Sequence, residues 1–158
     1  MSRRCLSSVL AALFVCWTAG AALAAPERMA IYMTVGGPLE VIRDGASSSV
    51  MLGGKVIHQA SDALTAQSYM SVGDPKDGYD VVLIRHGVGN ASCPITYDLV
   101  TVGADKRYAV IPGINKCSRL VKINVDGDNL MLVTEKQNGR TEIIEYNDKQ
   151  RRDSGAKP

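Results

Sequence analysis

Residues 119–146 read RLVKINV, DGDN, LMLVTE, KQNGR and TEIIEY in succession. Three strand-length segments rich in Val, Ile, Leu and Thr are split by two short turns. Asp126-Gly127-Asp128 and Gln137-Asn138-Gly139-Arg140 set glycine beside Asp or Asn, the residue types that tight hairpins need. The stretch reads as a three-stranded antiparallel meander.

The same punctuation recurs upstream. Turn signals stand at Gly36-Gly37-Pro38, Asp44-Gly45, Gly53-Gly54, Asp74 through Gly78, Gly87 through Asn90, Gly103 and Pro112-Gly113. Between them the spacing predicts strands at 29–35, 39–43, 49–52, 55–59, 64–72, 79–86, 95–102 and 108–111. Segment 61–67 is the one helix candidate, but Leu64, Ala66, Met70 and Val72 keep a period of 2, which favours a strand. Regular turns between short β-rich segments predict an all-β fold. The expected architecture is a small antiparallel β-sandwich or barrel, largely meander connected.

The N-terminus carries a different pattern. Arg3 and Arg4 precede an apolar run from Val9 to Trp17, and Ala22-Leu23-Ala24 forms an A-x-A site before Ala25. This is the layout of a secretory signal peptide over residues 1–24. The apolar run is shorter than the roughly 20 residues that a spanning helix needs. Neither Cys5 nor Cys16 follows the cleavage site, so no lipid anchor is indicated. The short charged region and strongly apolar core favour general export over a twin-arginine route. The expectation is a periplasmic or secreted protein with no integral membrane segment after cleavage.

Cleavage changes the composition. The remaining 134 of 158 residues form one domain at 25–148, and residues 149–158 read as a disordered basic tail. Arg3 and Arg4 leave with the signal, so the mature chain has 16 basic and 16 acidic residues. That balance argues against nucleic-acid binding. Phe14 and Trp17 leave too, so tyrosine is the only mature aromatic. A sugar-stacking or quaternary-ammonium site is disfavoured.

Cys93 and Cys117 remain. An even pair in an oxidising compartment reads as a disulfide, and the absence of C-x-x-C spacing argues against a redox couple. Closing about 25 residues is worth roughly 3.5 kcal/mol in the chain-entropy model. The pattern puts Cys117 on a face with Val121, Ile123 and Val125. Segment 113–116 would carry Cys117 over the end of the strand at 108–111.

Gly54-Lys55, Asp80-Val81-Val82-Leu83-Ile84, Cys93-Pro94 with Tyr97, and Gly113 ahead of Cys117-Ser118 together resemble a pattern in uncharacterised small exported β-proteins of Gram-negative bacteria. The resemblance covers roughly residues 50–135. It implies export, β structure and a disulfide, and no activity.

Catalytic chemistry is hard to find. Zinc-protease, nucleophile-elbow and phosphate-loop motifs are missing. His58 and His86 fall in different strands with no motif around either. His86, on a face with Val82 and Ile84, is either a remote base or a structural strand-end residue. Asp74, Asp77 and Asp80 gather at a Pro-Gly turn, where Asp serves conformation. Asp126-Gly127-Asp128-Asn129 lacks EF-hand spacing and reads as a turn. The expectation is therefore a non-enzyme with no cofactor and no metal ligand.

Function then falls to the loops. Those at 74–78, 87–92 and 113–116 could face a protein partner from a rigid scaffold, and the last two flank the cysteines. His86, Asn90, Asn115, Lys116 and Arg119 are the candidate binding residues. The expected class is an exported binding protein, of the inhibitor or immunity type, for an envelope-directed enzyme. The alternative is a structural or assembly component of the envelope working through a strand edge.

Overall fold

The computed structural model describes residues 25–74, 76–87, 93, 95–114, 117–147 and 149–150. Eleven strands follow one another: β1 (Glu27–Thr34), β2 (Gly37–Asp44), β3 (Ser47–Leu52), β4 (Lys55–Ala60), β5 (Leu64–Val72), β6 (Tyr79–His86), β7 (Tyr97–Gly103), β8 (Tyr108–Ile114), β9 (Ser118–Asp126), β10 (Asn129–Lys136) and β11 (Thr141–Asn147). Every strand anticipated from the sequence is present, and segment 61–67 enters β5 rather than a helix. Among the described residues, no helix is long and apolar enough to cross a membrane.

The strands form three antiparallel sheets: β1-β2-β3-β4, β5-β6-β7-β8 and β11-β10-β9. Each strand pairs only with its sequence neighbours, so the connection is a meander within every sheet. Short turns make this possible. Gly53 and Gly54 join β3 to β4 with φ of 55° and 84°, the left-handed pair that a two-residue hairpin requires.

The sheet β5-β6-β7-β8 is central, because both of its faces are covered. Every residue from Tyr79 to Ile84 and from Tyr97 to Gly103 is buried. Leu64, Val82, Ile84, Val100 and Val102 pack on Leu39, Val41 and Val50 of the N-terminal sheet. On the opposite face Val72, Val81, Leu83 and Leu99 pack on Leu130, Leu132 and Tyr146 of the C-terminal sheet. This explains why 81–84 reads as an unbroken apolar run: a strand buried on both faces has no reason to alternate. Burying each such side chain contributes about 1.5–3 kcal/mol.

Asp80 is a charged exception inside β6. It is 1% exposed. Its Oδ2 accepts the Val35 N–H at 2.6 Å and its Oδ1 accepts the Ser71 hydroxyl at 2.6 Å. The carboxylate therefore anchors the β1–β2 hairpin to the central sheet. It does not belong to the Asp74–Gly78 turn, where the sequence reading grouped it.

One further expectation changes. Val121 and Val125 are exposed, whereas Leu120 and Ile123 pack inward. For Val121 a bulge causes this. Val133 pairs with Lys122 and Thr134 with Leu120, which leaves Val121 as an extra residue and breaks the alternation. At the C-terminus, Asn147 ends β11, and its side chain accepts the Gln150 N–H at 2.9 Å. Gln150 Oε1 accepts the Asn147 N–H at 2.8 Å in return. Lys149 and Gln150 are helical beside this reciprocal cap. Residues 1–24 and 151–158 lie outside the described residues.

Candidate functional site

His58, Asp62, His86 and Asp98 converge where the N-terminal sheet covers one end of the central sheet. Asp98 pairs with Ile84 across β7 and β6, so it shares the face that meets the N-terminal sheet. His86 lies two residues beyond Ile84 on that face. His58 arrives from the other sheet through a bulge. Val50 pairs with His58 and Met51 with Val56, leaving Ile57 extra. The insertion lets Val56 stay outside while His58 turns inward beside Val50.

A second bulge faces Asp98. Tyr97 pairs with Ile114 and Leu99 with Ile111, so Pro112 and Gly113 together oppose Asp98. Gly113 has a φ of 65°, a conformation that glycine adopts without the steric cost of a Cβ. Its N–H donates to Asp98 Oδ1 at 2.8 Å. Asp62 sits on the link between β4 and β5. That link is held by the Gly87 N–H, which donates to Ala63 O at 2.6 Å. A Cβ on Gly87 would lie 2.8 Å from that oxygen, so the approach depends on glycine.

The polar atoms are closely placed. Asp98 Oδ2 lies 2.8 Å from His58 Nε2 and 2.9 Å from His86 Nε2. His86 Nδ1 lies 3.1 and 3.0 Å from the two Asp62 oxygens. His58 Nε2 is buried and, despite its short distance to Asp98, sits off the axis of a hydrogen bond. Burial opposes a charged His86 ring, but hydrogen bonds and charge from Asp98, then from Asp62, outweigh it and raise its pKa. Burial likewise pushes the Asp98 carboxyl up. His58, the Gly113 N–H and His86 reverse that and bring its pKa down to about 2.

The rim beside this cluster carries the disulfide. Cys93 is bonded to Cys117, with Cα atoms 4.3 Å apart. The Cys117 N–H donates to Ile95 O at 2.9 Å. The expected loop 113–116 starts later than predicted: Gly113 and Ile114 belong to β8, and residues 115–116 lie outside the described residues. A groove of about 360 Å³ opens here, lined in part by Ile95, Cys117, Arg119 and Glu135.

The sequence-derived binding residues separate into two places. His86 belongs to the histidine–carboxylate cluster. Arg119 lies at the groove, where its guanidinium donates to Glu135 at 2.6 Å across the β9–β10 pair. Asn90, Asn115 and Lys116 lie outside the described residues. In the 74–78 turn, Asp74 Oδ1 accepts the Lys76 N–H at 2.8 Å, and Asp74 O accepts the Gly78 N–H at 2.6 Å, which is conformational work. Asp126 through Asn129 form the β9–β10 hairpin.

The reading of the two histidines as separate residues without a constellation is corrected. They meet on one carboxylate that sequence reasoning did not single out. Two bulges and a sheet-to-sheet contact bring them there, and none has a periodic signature. The signals that were available are Asp98 within a strand of apolar residues and a histidine ending the 79–86 run.

Comparisons with protein-family models, curated proteins and solved structures give no match, so function is argued from the site alone.

Proposed function

We propose that this is an exported binding protein that presents its disulfide rim to a protein partner, in the manner of an inhibitor or immunity protein for an envelope-directed enzyme. The observation that carries the reading is the covalent tie between Cys93, before β7, and Cys117, before β9. It joins the central sheet to the C-terminal sheet beside the Ile95–Arg119–Glu135 groove. A surface held by a cross-link loses little conformational entropy on binding. The signal-peptide layout of residues 1–24 and the resemblance to small exported β-proteins support the compartment in which such a bond forms.

A second reading, assembly through a strand edge, is favoured by β1. Among the described residues this strand pairs only with β2, and it exposes Met29, Ile31 and Met33. An exposed edge strand is a surface for strand addition.

Photo-crosslinking in cells separates the two. A photoreactive residue at position 119 should give one discrete adduct, and one at position 33 should give none. An adduct from position 33 alone would replace the binding reading with the assembly reading. Silence at both positions would remove both.

A further inference from the structure

We infer that His58, His86 and Asp98 form a binding site for a divalent transition-metal ion of the zinc class, with Asp62 as the group that orients His86. The candidate ligand atoms of these three residues all lie within 4.8 Å of one another. They come from three strands in two sheets, so the fold, not local sequence, assembles them.

The crowding of polar atoms supports a cation between them. Asp98 Oδ2 has an imidazole nitrogen on either side within 2.9 Å, and His86 faces Asp62 with its other nitrogen. A metal ion would take the place of the proton between His86 Nε2 and Asp98 Oδ2 and bind both atoms. His58 Nε2 lacks a hydrogen-bond partner among the described residues. It is buried within 2.8 Å of Asp98 Oδ2, yet off the hydrogen-bond axis. Ligation would satisfy it.

The surroundings match those of a metal centre. Asp98 Oδ1 is already held by the Gly113 N–H, so Oδ2 is the oxygen that faces both rings. The Asp62–His86 contact has the form of the carboxylate–histidine pair that fixes tautomer and ring orientation behind a metal. Ligand bonds of about 2.0–2.2 Å in tetrahedral geometry separate ligands by about 3.4 Å. The present 2.8 and 2.9 Å spacings reach that with small rotations of the two rings. Both histidine side chains are about one-fifth exposed, so the cluster lies close to the surface. Two imidazoles and a carboxylate select zinc-class ions over magnesium or calcium, which prefer all-oxygen shells. Three protein ligands leave a fourth position open to water or to a ligand atom.

The test is calorimetric titration of the purified protein, disulfide intact, after chelator treatment. Zn²⁺ should bind at one equivalent per chain, and Mg²⁺ should not bind. His58→Gln and His86→Gln should each abolish the zinc isotherm. Asp62→Asn should retain one equivalent but weaken affinity about 10–100-fold, the usual effect of losing an orienting partner. Melting of each variant in chelator checks that it is folded. If a histidine variant fails to fold, Asp62→Asn decides, and an unchanged affinity there overturns the proposal. So does the absence of zinc uptake by the folded parent, or equal uptake by folded histidine variants. In those cases the cluster is a hydrogen-bonded bridge between sheets.

Discussion

At the residue scale, two buried carboxylates in adjacent strands do different work. Asp80 has its oxygens filled by Val35 and Ser71, so it is a structural clamp. Asp98 has one oxygen filled by backbone and the other shared by two imidazoles. Asp80→Ala leaves the Val35 N–H and the Ser71 hydroxyl without their charged acceptor. It should cost about 3 kcal/mol in chemical denaturation, since hydrogen bonds to charged groups are worth roughly 1.5–3 kcal/mol each. A loss below about 0.5 kcal/mol would mean that water replaces the clamp. Gly36 offers a steric test nearby. A Cβ there would strike Val102 Cγ1 and come within 3.1 Å of Gly103 O. Gly36→Ala should lower stability by about 1–3 kcal/mol through overpacking, read from the same denaturation midpoint. Neither role was legible beforehand. An Asp next to Gly78 and Tyr79 looks like turn chemistry, and only the long-range contact to Val35 distinguishes it.

At the element scale, strand identities were legible because turn residues bound them so regularly. Which face each side chain takes was less so. The pleat has a period of two residues, and one extra residue inverts every assignment beyond it. Bulges at Ile57 and Val121 do this, and both lie in segments with no glycine to betray them. Hence Val121 was placed inside, and His58 received no partner. The double burial of β6 shows in the sequence as lost alternation, but the same run also suits the core of a two-layer sandwich. A substitution pair tests the layering. Leu83 is buried against the C-terminal sheet, while Ile143 on the outer face of that sheet is 59% exposed. Leu83→Ala should destabilise by about 2–5 kcal/mol, and Ile143→Ala by no more than about 0.5 kcal/mol. Comparable losses in equilibrium unfolding would mean that the outer face of β11 is covered in solution.

At the scale of the whole molecule, the C-terminal sheet is fastened at both ends of β9 by different means. At the Asp126 end, the Gly73 N–H donates to Gly127 O at 3.2 Å and the Tyr79 hydroxyl to Asp128 O at 3.2 Å. At the Ser118 end the fastening is the disulfide, with the Cys117 N–H on Ile95 O. Replacing both cysteines by alanine should cost about 3.5 kcal/mol from loop closure in the unfolded chain. The folded chain should answer unequally. Leu130, Leu132 and Tyr146 keep their packing against the central sheet, so the fold survives. Local opening then concentrates where the covalent tie is gone. Amide exchange in the double-alanine protein should quicken most around Ser118–Leu120 and least around Val125–Asp126. Uniform acceleration along β9 would show that the bond acts through global stability alone. Its part in presenting the rim would then have no support.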